Sequence, residues 1–188
     1  MIDENHATSS KIPKWKYEEI EKKVLSLYTE LNIRKLPIDP LAITRKLGYI
    51  LVPFSKVGEA VEPQSENDEN DAFSFFNPKY NKFVIVYDNK KPLARLRFTL
   101  MHEIGHIQLG HKHESDLARR MADYYAGYAL APTPLIHKFA RNGIEAIRTV
   151  FSVSKYCAEI CHNRYSNWLL YGDFELKDYE KTFLDLFD

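Results

Sequence analysis

Cysteine is scarce in this chain, with two among 188 residues, and two thiols cannot build a disulfide-stapled scaffold. An excess of either charge is also missing, since 26 Lys and Arg balance 26 Asp and Glu. A general phosphate binder carries a basic surplus, so direct nucleic-acid binding is not expected. No apolar run approaches the roughly 20 residues that span a bilayer, so no membrane partner is expected. The opening decapeptide, MIDENHATSS, lacks the basic start and apolar core of a signal peptide. These absences together point to a reduced, cytoplasmic, soluble protein. What is present is an ordinary globular composition, 45% hydrophobic and 28% charged, at a length that fits one domain.

Hydrophobic spacing organises the chain. Ile20, Val24, Leu27, Tyr28 and Leu31 recur at three- and four-residue steps, predicting an amphipathic helix over 15–32. In LPIDPLAITRKLG, Asp39 before Pro40 opens a short helix and Gly48 closes it. YILVPF reads as a short strand, and EPQSENDEND (62–71), with its five acids, as a solvated loop. AFSFF and FVIVY, separated by NPKYNK, read as two paired strands, the second buried. Pro92 and Gly110 bracket a helix. Another opens at Ser115 or Asp116, with Asp116 read as a helix cap rather than a metal ligand, and stops before Pro132. The remainder to about Leu170 reads as helical with a break at Asn142-Gly143. The expected fold class is therefore α+β: a small sheet early, then a mostly helical second half. Residues 1–14 are expected to be a flexible N-terminal segment, 15–170 one domain, and 171–188 a C-terminal tail.

The chemistry concentrates in RFTLMHEIGHIQLGH, where His102-Glu103-x-x-His106 lies inside the predicted helix 92–110. Four residues turn a helix by about 400°, so both imidazoles leave the same face one turn apart. That spacing places two nitrogen ligands to grip one Zn²⁺ at about 2.0–2.1 Å each. Glu103 lies about 100° round the helix from His102, within reach of the water that a hydrolytic zinc site activates. Leu100, Ile104 and Ile107 fall on the opposite, packing face.

Such a site needs a third protein ligand. His111 and His113 are near, but the HExxHxxGxxH pattern would put a histidine where Lys112 stands. Asp123, in the middle of the following helix, is the candidate ligand or orienting partner; its alternative is an ion pair with Arg119 or Arg120. Tyr124, Tyr125, Tyr128 and His111 are candidate oxyanion donors, and an exposed edge of the sheet would suit a peptide substrate. Cys157, Cys161 and His162 supply too few partners for a four-ligand structural site, so the thiols are expected to be buried and free. The segment FSVSKYCAEI, with Ser152 or Ser154 as a cap, has only a faint helix-turn-helix look.

Four ordered segments, LPIDPLAITRKLGYILV, FVIVYDNKKPLARLRFTLMHEIGHIQLGH, ADYYAGYALAP and FSVSKYCAEICHNRY, resemble the ImmA/IrrE-type metallopeptidases of bacteria, their prophages and mobile elements. The resemblance implies a minimal zincin-like domain, about three strands beside an HExxH helix. It implies zinc as cofactor, His102 and His106 as ligands, and Glu103 as the catalytic residue. It further implies action in transcription regulation, by cleavage of a helix-turn-helix repressor as protein partner. The alternative is a non-catalytic zincin-fold protein that regulates by binding. Where the family's second motif carries glutamates, Arg119 and Met121 stand here, and Asp123 takes the Asn/Asp place. The third ligand accordingly falls either to Asp123 or to another donor.

Overall fold

A computed structural model describes residues 11–57, 71–172 and 175–188. Helix α1 (Lys14–Glu30) buries Ile20, Val24, Leu27 and Tyr28, the stripe its spacing predicts. Helix α2 (Pro40–Lys46) starts where Asp39 Oδ1 accepts the Leu41 N–H at 2.9 Å, and Gly48 leaves it in the left-handed region at φ +70°.

Strands β1 (Ile50–Pro53), β2 (Ala72–Asn77) and β3 (Lys82–Tyr87) form one sheet in the order β1-β3-β2. Beta-branched β3 sits in the centre, with Val84, Ile85 and Val86 buried, parallel to β1 and antiparallel to β2. Strand β2 has no second strand beside it among the described residues. Its Phe75 and Phe76 are exposed. Of the acidic segment expected to be a solvated loop, residues 62–70 lie outside the described residues. Asp71 departs from that expectation: it is buried and ion-paired to Lys91 at 3.1 Å and to Arg95, because it fastens the start of β2 to the start of α3.

Helix α3 (Leu93–Gln108) buries Leu100, Met101 and Ile104 and ends two residues before Gly110, at φ +70°. Helix α4 (Asp116–Leu130) packs along it, with Gly105 meeting the ring of Tyr125. Of the two starts the sequence offers, Ser115 is the N-cap, its Oγ accepting the Ala118 N–H at 3.1 Å, and Asp116 is the first helical residue. The helical remainder resolves into α5 (Thr133–Phe139), α6 (Ile144–Phe151) and α7 (Lys155–Tyr171), broken at Gly143 as expected and again at Ser152. Ser154 caps α7.

The segment expected to be a C-terminal tail contains α8 (Asp178–Leu186). Its Phe183 is fully buried against Tyr28 and Tyr128, since Phe183, Leu186 and Phe187 supply an apolar face that α1 and α5 cover. The domain therefore reaches at least to residue 186. At the other end helix begins at Lys14, and residues 1–10 of the segment expected to be flexible lie outside the described residues. The α+β class and the small sheet beside the motif-bearing helix are as expected. Among the described residues, no helix is long and apolar enough to cross a membrane.

Candidate metal centre

Helix α3 presents His102 and His106 one turn apart, and their Nε2 atoms approach to 3.0 Å. Two neutral imidazole nitrogens with lone pairs at that separation repel unless a proton or a cation lies between them. The separation is close to the roughly 3.3 Å between two nitrogens that each lie 2.0–2.1 Å from a tetrahedral zinc. The pair therefore fits a single ion.

The far side of each ring is held. Asp123 Oδ1, from α4, lies 2.8 Å from His102 Nδ1. The carboxylate accepts there, so His102 carries its proton on Nδ1 and turns its Nε2 lone pair toward His106. His111 Nδ1 lies 3.1 Å from His106 Nδ1 and supports the second ring likewise. Burial, then the neighbouring imidazoles of His102 and His111, pull His106 down to about 4, which keeps it a neutral donor at ordinary pH. His111 is lowered too, chiefly by burial.

Glu103 is buried and faces the same cleft, a cavity of about 850 Å³. Its carboxyl is raised by burial, against a hydrogen bond from Ser74 and the proximity of His102. Ser74 Oγ donates to Glu103 Oε2 at 2.7 Å. Sequence reasoning missed Ser74; its signal was a lone hydroxyl amid the aromatics of AFSFF, on the strand paired to β3.

Other candidates fall elsewhere. His111 lines the cleft, whereas Tyr124, Tyr125 and Tyr128 do not. Alpha4 turns Tyr125 into the α3 contact, Tyr128 onto Phe183 and Tyr124 toward Glu21 of α1, so none of the three faces the cleft. Arg119 pairs with Glu114 at 2.7 Å rather than with Asp123, and Met121 is buried. Asp123 reaches the back of His102, not the space between the two Nε2 atoms. Among the described residues, no group of three or more His, Cys, Asp and Glu side chains converges as a ready metal cage. The donor set present is two imidazoles, each supported from behind.

The family model for the IrrE N-terminal-like domain, Peptidase_M78, matches residues 56–160, more than half of the chain. The chain belongs to the M78 peptidase family. The match spans β2, β3, α3 and α4, so the His102–Glu103–His106 helix and its Asp123 partner lie within the family domain. No curated protein matches the sequence. Among solved structures, a Mycobacterium tuberculosis transcriptional regulator is similar, at 13% identity and a TM-score of 0.49. The similarity covers 78% of this chain and 46% of the regulator, so this M78 chain spans about half its length.

Proposed function

We propose that this M78 protein is a zinc-dependent metallopeptidase of the cytoplasm whose substrate is a regulatory protein, such as a helix-turn-helix repressor. The observation that carries the reading is the convergence of His102 Nε2 and His106 Nε2 beside a buried Glu103. His102 and His106 would hold the ion, and Asp123 is proposed as the carboxylate that orients His102. Direct ligation by Asp123 would need its carboxylate to leave Nδ1. Bound zinc supplies Lewis acidity, polarising a scissile carbonyl and lowering the pKa of water.

The remaining chemistry belongs to the chain. Burial raises the Glu103 carboxyl above its ordinary value, which makes it a stronger base than an exposed carboxylate. Ser74 fixes that carboxylate through Oε2 and leaves Oε1 to take the proton of the attacking water and pass it to the departing amine. Phe73 and Ser74 of β2 line the cleft, so an extended substrate pairing with this edge would pass the histidines. Of the candidate oxyanion donors, His111 is the one on the cleft wall.

The test pairs the protein with the helix-turn-helix repressor encoded nearest to it and reads fragments by mass spectrometry. Wild type should cut at a defined bond, and Glu103→Gln should keep its zinc and yield no fragments. Cleavage by Glu103→Gln at the wild-type rate would remove Glu103 as the base.

A second reading, a zincin-fold protein that regulates by binding, is favoured by Arg119 and Met121 standing where the family carries glutamates. Stable complex formation with the repressor, with no fragments from wild type at saturating zinc, would select it.

A further inference from the structure

A second reactive cluster stands behind one wall of the cleft, on α7. Cys157 and Cys161 occupy one face, a turn apart, both buried and both free. Cys157 reaches the cleft wall, and its N–H is anchored to the Ser154 cap at 3.1 Å. Cys161 lies behind it, Sγ 3.6 Å from the Gly127 carbonyl.

Two guanidinium groups flank this pair. Arg97 is buried and donates to the carbonyls of Ile38, Phe151 and Ser152, while its Nε has no hydrogen-bond partner among the described residues. Arg164 donates to Thr133 Oγ1 at 3.2 Å and to the carbonyls of Gly127 and Ala131 at 3.4 and 2.6 Å, over the rings of Tyr124 and Tyr128. Among the described residues, neither has a carboxylate as hydrogen-bond partner. Cys161 is the nearest group of opposite sign to Arg164, whereas Arg97 feels Asp39 first and Cys157 second. The neighbouring Cys157 thiol, then Arg164, draws Cys161 down toward about 6 despite burial, while the Cys157 thiol is raised.

Helical spacing decides what such a dithiol takes. Side chains four apart on a helix hold their Cβ atoms about 5–6 Å apart, whereas a disulfide needs about 3.5–4.5 Å. Oxidation to a disulfide would require the first turns of α7 to give way. A bridging ion would not, because two metal–sulfur bonds add reach. Zinc prefers four N or S ligands, whereas thiolate pairs select soft ions.

We propose that Cys157 and Cys161 form a binding site for a soft, thiophilic ion of the kind two sulfurs chelate, such as univalent copper or trivalent arsenic. The site is separate from the histidine pair and does not rest on the peptidase reading.

Phenylarsine oxide is the first probe, applied to the full-length folded protein. Two As–S bonds form, the As–O bond breaks, and the oxygen leaves as water with both thiol protons; arsenic stays trivalent. One equivalent should consume both thiols, and the adduct should resist excess monothiol yet release to a dithiol. Cys157→Ser and Cys161→Ser should each bind at least tenfold more weakly. Titration with Cu(I) held by bicinchoninate forms the second arm, and transfer of one copper per chain, lost in both variants, would assign the site to copper as well. Uptake of the arsenical alone would assign it to trivalent ions. If a serine variant fails to fold by circular dichroism, the wild-type thiol count decides: two thiols lost per arsenical support the site. Loss of one or none, displacement by monothiol, or undiminished binding by a folded single-cysteine variant overturns it.

Discussion

Removing the Asp123 carboxylate distinguishes an orienting role from a ligating one. In the structure the carboxylate meets His102 Nδ1 at 2.8 Å, so its contribution to zinc affinity runs through the imidazole. Groups that orient a ligand in this way contribute about 10- to 100-fold in affinity, or about 1.4–2.7 kcal/mol. The Asp123 side chain is 50% exposed, so water shares the bond and the lower end applies. Asp123→Ala should therefore weaken zinc about tenfold while the stoichiometry at saturation is retained. Asp123→Asn keeps an acceptor oxygen but loses the charge assistance, and should cost roughly half as much free energy, about threefold. Competition against a chromophoric zinc chelator at fixed pH reads both numbers. Loss of stoichiometry in both variants would make Asp123 a direct ligand, and unchanged affinity in Asp123→Ala would refute any role for it at this site.

Two further substitutions probe the frame around the centre. A Cβ at Gly105 would lie 3.0 Å from Tyr125 Cδ1 and 3.2 Å from its Cβ and Cγ. Overpacking of about 1–3 kcal/mol, less about 1 kcal/mol gained in helix propensity, should make Gly105→Ala destabilising by up to about 2 kcal/mol in urea unfolding. A gain in stability would show that α4 yields freely. Glu21 is raised above its ordinary 4.5 by burial, against hydrogen bonds from Tyr124 and Tyr179. A carboxyl raised in the folded state contributes stability below its unfolded value and loses it as pH climbs through the folded one. The melting temperature of wild type should thus fall relative to Glu21→Gln as pH rises above the ordinary carboxyl value; parallel curves would contradict this.

The helix that carries the His-Glu-x-x-His motif was legible because its information is local. Periodicity, Pro92 and Gly110 set α3, and the four-residue spacing alone put His102 and His106 on one face, as found. The pairing of AFSFF with FVIVY was equally local, since a short turn joins them. What escaped depends on long-range packing. Ser74 meets Glu103 across 29 residues of sequence, a contact that strand register decides. The direction of the α4 tyrosines is set by α1, α3 and α8, and α8 was itself read as a tail, since its nine residues bury little unless Tyr28 and Tyr128 receive Phe183. Asp123 stood out in the sequence as a mid-helix acid, but which nitrogen it meets follows from the packing of α4 on α3 at Gly105 and Tyr125.

Zinc stoichiometry of the purified protein, read by plasma mass spectrometry after equilibrium dialysis, bears most directly on the histidine pair. One ion per wild-type chain, lost in His102→Ala and in His106→Ala with the fold retained, is the expected result. An ion that survives loss of either imidazole, or a wild-type chain that takes up none, would mean that the two converging nitrogens do not hold a metal.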